Sequence, residues 1–132
     1  MSKTKGLFQD KKDLLKGVVN RAASIFPIFD LTFCDLILNF QNYWFWKRNI
    51  KVKFNIIIRS SNGTQILNKS NNTPELINSI SIKQLAIENN INIDKIKFGT
   101  VELEVISREN LVYPFPAIMG FYISVTGFIS CV

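Results

Sequence analysis

The sequence predicts a mainly β protein: an antiparallel β-sandwich, immunoglobulin-like or jelly-roll-like, with one N-terminal amphipathic helix. Three observations carry that expectation. Ile50, Val52, Phe54, Ile56 and Ile58 alternate with Lys51, Lys53, Asn55, Ile57 and Arg59, a period of two that gives a strand one core-facing and one largely wet side. Asn62-Gly63 follows directly, the dipeptide best suited to a type I′ hairpin turn, because both central residues of that turn need positive φ. About seven or eight short apolar segments then recur at hairpin-like spacing, without an internal repeat. A partly open barrel is the competing architecture. The length of 132 residues suits one domain, and 47% hydrophobic against 20% charged residues is a core-forming balance.

Residues 1–30 read as a basic N-terminal extension and residues 31–132 as the sandwich domain. In the extension, Asp10 is a candidate helix N-cap and Asp13 suits a first turn. Leu14, Leu15, Val18, Ala22, Ile25 and Phe26 recur at helical spacing until Pro27 ends the segment. From Leu31 the period changes to two. Leu36, Leu38 and Phe40 alternate with Ile37, Asn39 and Gln41, and Asn42 breaks the pattern, which predicts a bulge before the strand resumes at Tyr43. Lys47-Arg48-Asn49 is a polar turn into the isoleucine-rich strand, and Gln65 to Asn68 returns from the Asn-Gly hairpin.

Further along, Asn68 to Pro74 is turn-rich, Ser79 to Lys83 a short strand, and Gln84 to Asn89 a helical turn. Phe98, Val101, Leu103 and Val105 mark another strand, with Gly99 at its entry and Glu102 and Glu104 on the solvent side. Leu111 to Val132 holds 22 residues without a charge, enough to cross a bilayer. Pro114, Pro116, the alternation around Phe121 to Val125, and Gly120 and Gly127 as turn brackets favour two buried strands over a C-terminal membrane anchor. The apolar end suggests that the chain is the front part of a longer protein.

Histidine is absent, which removes the commonest general base, the Ser-His and Cys-His pairs, and imidazole metal sites. The two cysteines, Cys34 and Cys131, make neither a zinc site nor a disulfide scaffold, and read as free buried thiols. No phosphate-cradling glycine loop or Gly-x-Ser-x-Gly elbow occurs. Glu102 and Glu104 share one side of a strand, as a catalytic or cation-binding pair would, but Lys95, Lys97 and Arg108 nearby in sequence make a charge-balanced face the better reading. The expectation is a non-enzymatic protein without cofactor or metal. The N-terminus shows no apolar signal core, which points to the cytoplasm.

The net charge is +6, and its distribution is uneven. No acid lies between Asp35 and Glu75, where Lys47, Arg48, Lys51, Lys53, Arg59 and Lys69 all fall. Within that stretch Tyr43-Trp44-Phe45-Trp46 runs directly into Lys47 and Arg48. As a strand it places Trp44 and Trp46 on one face, a flat platform for a sugar ring or a base, with cations beside it for carboxylate, sulfate or phosphate. The candidate ligand-binding residues are therefore Tyr43, Trp44, Trp46, Lys47, Arg48, Lys51 and Lys53. The competing structural reading is cross-strand packing of the rings and a solubilising basic face. The function expected is a binding or assembly module, an accessory domain of a glycan-handling protein, with an acidic glycan or another protein domain as partner. Single-stranded nucleic acid on the same surface is the alternative, and a tail-anchored membrane protein a further one.

Overall fold

The computed structural model describes residues 20–71, 77–108, 118–124 and 127–131. They form β1 (Asn20–Pro27), β2 (Cys34–Gln41), α1 (Tyr43–Arg48), β3 (Lys53–Arg59), β4 (Gln65–Asn71), β5 (Ile77–Ser81), α2 (Ile82–Glu88), α3 (Ile93–Ile96), β6 (Thr100–Ser107), β7 (Ile118–Ser124) and β8 (Gly127–Cys131). The protein is mainly β, with two antiparallel four-stranded sheets ordered β1-β6-β3-β4 and β5-β2-β7-β8. The chain passes between the sheets five times, and two of these passages, β2 to β3 and β6 to β7, join the central strands. The central pairs β3/β6 and β2/β7 are thus tied to each other twice.

The alternating ribbon behaves as its pattern requires on one side. Ile50, Val52, Phe54, Ile56 and Ile58 are all buried, together with Leu36, Leu38 and Phe40 of β2 and Val101, Leu103 and Val105 of β6. The Phe40 and Phe54 rings meet 4.8 Å apart, joining the two sheets through one core. The other side is not wet as expected, since Asn55 and Ile57 are buried too. An arginine-glutamate network lies over that face and covers it with long side-chain stems.

The N-terminal reading needs the largest correction. Residues 1–19, which hold most of the expected helix, lie outside the described residues, and its last part is a strand. β1 pairs along its whole length with β6, from Asn20 opposite Ser107 to Pro27 opposite Thr100. Ala22 and Phe26 point inward while Ile25 is 61% exposed. Small and apolar residues at 22, 24 and 26 suit either period, and the unpaired backbone groups along β6 decide between them. The first sheet therefore begins inside the stretch assigned to an extension ending at residue 30.

Two turns also differ. At the β3–β4 hairpin Gly63 alone adopts positive φ, at 90°. Its N–H donates to the Ser60 carbonyl at 2.9 Å, and the Ser60 N–H donates to the Thr64 carbonyl at 2.8 Å. This is the three-residue loop with a left-handed glycine, not a type I′ turn. Gly120 is no turn either. It lies buried within β7, where an added Cβ would stand 3.0 Å from the Phe26 ring. In the tail, β7 and β8 are strands, whereas residues 109–117 lie outside the described residues. Among the described residues no helix is long and apolar enough to cross a membrane.

Gly99 closes the turn into β6. The Ile28 N–H donates to its carbonyl at 2.9 Å, and a Cβ at this position would fall 2.0 Å from the Arg59 carbonyl oxygen. Backbone is what would have to move, so Gly99→Ala is expected to cost about 3 kcal/mol, the upper end of the range for overpacking. A urea unfolding curve would show it as a lowered midpoint at constant slope.

Candidate functional site

The aromatic segment is a helix. Asn42, itself buried, caps its start by accepting from the Phe45 N–H at 3.4 Å, and Asn49 caps its end in the left-handed conformation (φ 54°, ψ 34°). The predicted bulge and resumed strand at Gln41 to Trp46 are replaced by this single capped turn. The change of period alters what the rings do. In a strand, residues 44 and 46 face the same way, but in a helix they are separated by about 200°. Trp44 is accordingly only 2% exposed, its ring 6.5 Å from Phe54, whereas Phe45 and Trp46 face solvent. Tyr43 is half-buried. The two-tryptophan platform is not built: Trp44 is core and Trp46 is surface.

The cations after the helix do converge. Exposed Lys51 and half-buried Lys53 line a shallow groove of about 360 Å³ with Val52, Ile106, Ser107 and Arg108. The β3/β6 register places Lys53 opposite Ile106, and the Ser107 hydroxyl donates to the Lys51 carbonyl at 2.9 Å, which holds the lead-in against the end of β6. Lys47 and Arg48 form the end of α1, next in the chain to this groove. Arg108 is the residue that sequence reasoning assigned elsewhere. It lies 55 positions from Lys53, and only the strand register brings the two together.

The glutamate pair has other partners than the sequence suggested. Arg21 Nη2 binds Glu102 at 2.6 Å and its Nε binds Glu104, while Arg59 Nη1 binds the other oxygen of Glu102 at 2.8 Å. Asn55 Nδ2 donates to Glu104 at 2.8 Å, and the Ser70 hydroxyl donates to the Asn55 side-chain Oδ1 at 2.6 Å. This network runs across all four strands of the sheet. Glu102 is buried instead of solvated, and Lys97 bonds to Asp30 at 3.4 Å instead of to the pair. Both carboxylates are engaged by cations or amides, so they brace the sheet. Burial pushes the Glu104 carboxyl up, but the hydrogen bond from Asn55 and the bond and charge of Arg21 outweigh it, leaving its pKa below the ordinary glutamate value. Cys34 is a free, half-buried thiol whose pKa is raised, chiefly by burial.

Comparison with protein-family models, with curated proteins and with solved structures finds no match.

Two outcomes follow from these positions. Trp44→Ala should lower stability by about 3–5 kcal/mol, as for a large ring removed from a core, and Trp46→Ala by no more than about 0.5 kcal/mol, both read from urea midpoints. A folded-state pKa below the unfolded one gives stability that is present above the unfolded value and lost as pH falls through the folded value. Glu104→Gln should therefore flatten the acid limb of a stability-against-pH curve, and an unchanged limb would show that the network does not act through this group.

Proposed function

We propose that the chain is a non-catalytic β-sandwich binding module, an accessory part of a glycan-handling protein, that takes an acidic, sugar-containing partner at the end formed by α1 and the Lys51–Arg108 groove. The supporting observation is the grouping of Lys51, Lys53 and Arg108 in one groove, following a helix that presents Phe45 and Trp46 to solvent. Among the described acids, Glu104 comes nearest along the strands; it is bound by Arg21 and Asn55, and the charge of Lys53 also acts on it. Asp30, Asp35 and Asp94 belong to the opposite end of the sheets.

In this reading Trp44 anchors the helix, and one ring, Trp46, offers a face for a sugar. The cations supply charge-assisted hydrogen bonds to carboxylate or sulfate groups. The two sheets sharing one core act as the rigid scaffold that holds the groove in place. A single exposed ring beside cations also suits a nucleic-acid base, and the assay separates the two.

Binding of a sulfated oligosaccharide, followed calorimetrically, should weaken by tenfold or more between about 50 and 200 mM salt, as release of counterions from a few neutralised charges requires. Trp46→Ala should lower affinity by about tenfold. Lys51→Gln and Arg108→Gln should lower it and flatten the salt dependence. Affinity unaffected by all three substitutions would refute the site, and a clear preference for single-stranded oligonucleotide would refute the glycan.

A further inference from the structure

Strand register shows where the two sheets fail to close. Cross-strand partners share a face, and β3 presents Phe54 and Ile56 to the core, so their partners Asn71 and Lys69 on β4 point inward as well. By the same rule Asn78 and Ile80 of β5, opposite Phe40 and Leu38, point inward from the other sheet. The contact of Phe40 with Phe54 sets β2 over β3, which brings the edge strands β4 and β5 to the same side of the molecule. Three of their four inward positions are polar where a closed sandwich would carry apolar residues.

A cleft of about 510 Å³ opens there, within the range of small-molecule sites. Its floor is apolar, with Phe40, Phe54, Ile56 and Leu103 reaching it from the core, and α2 contributes Leu85 and Glu88 to its wall. That wall is held firmly. The Ser81 hydroxyl donates to Asp35 at 2.6 Å and accepts from the Gln84 N–H at 3.1 Å, and the Lys83 N–H donates to Asp35 at 3.1 Å.

We propose that this cleft is a second binding site, separate from the basic end, and that it takes a small monocarboxylate with an apolar body. Lys69 is the cation among its lining residues, and it makes no ion pair among the described residues. Its backbone is paired with Ile56, so the aliphatic stem starts over the apolar floor while the ammonium remains free to meet an anion. The Ser70 and Ser81 hydroxyls on the rim are bonded to Asn55 and Asp35, which leaves them poorly placed for a sugar. Glu88, to which Gln84 Nε2 donates at 3.3 Å, is an acid on the wall and disfavours a ligand with a second negative charge.

The test is a titration of the full chain, labelled with nitrogen-15, with 3-phenylpropionate and hexanoate, alongside 2-phenylethylamine and glutarate. The two monocarboxylates should give saturable shifts in the amides of β4, β5 and α2, with Lys69→Met weakening them tenfold or more and Lys51→Gln leaving them unchanged. The proposal is overturned if no monocarboxylate shifts these amides up to about 10 mM, a concentration that detects even millimolar affinity. It is equally overturned if the amine or glutarate binds as well as the monocarboxylates, or if Lys69→Met binds like the parent. Because Lys51→Gln is the variant that impairs the basic end, failure at one site leaves the other to be judged separately.

Discussion

The pairing of β3 with β6 is the constraint from which the rest of the architecture follows. Its register, Lys53 opposite Ile106 through Arg59 opposite Thr100, puts Phe54, Ile56 and Ile58 on the same inner face as Val105, Leu103 and Val101. On the outer face the same register sets Asn55 beside Glu104 and Ile57 beside Glu102, and from there Arg59 reaches Glu102. One slip of a residue would send the isoleucines to water and the glutamates into the core, so the apolar face and the ion network enforce each other. The groove depends on it as well, because Lys53 and Arg108 meet only in this alignment.

What could be read from the chain was what local pattern controls. The ribbon from Ile50 to Arg59, the position of the following hairpin, the strand at Leu36 to Phe40 and the helical turn expected at Gln84 to Asn89, which starts two residues earlier as α2, all express their period or their caps within a few residues. The aromatic run was misread because tyrosine, phenylalanine and tryptophan favour strands, whereas the deciding features are two asparagines, at 42 and 49, that cap a helix of only six residues. β1 differs from the expected helix for another reason: a short run of alanine, serine and isoleucine fits both periods, and pairing with a distant strand settles the matter. The partners of Glu102 had no local signal at all, since Arg21 and Arg59 lie 81 and 43 positions away.

The proposed basic site shows in composition but not in geometry. The acid-free stretch holds Lys51 and Lys53, which line one groove, while the expected use of Trp44 required a strand that does not form. A tryptophan next to cations is a common motif for binding, yet a ring of that size is also among the largest contributions a small core can recruit. Helical phase assigned Trp44 to the core and left Trp46 outside.

The distribution of charge then acquires a physical reading. Arg21 and Arg59 are neutralised by Glu102 and Glu104 in the middle of the first sheet, and Lys97 by Asp30 at one end. The network thus draws on both signs where the backbone is most tightly paired and where an unpaired charge would be most costly. Among the described residues, Lys51, Lys53 and Arg108 fall together in one groove, with Lys69 apart from them at the open edge. A net charge spread evenly would keep the protein soluble and do little else. Three cations gathered in one groove produce a local field that falls off over a Debye length of about 8–10 Å at physiological salt, and so would act only on a charged group already near that surface.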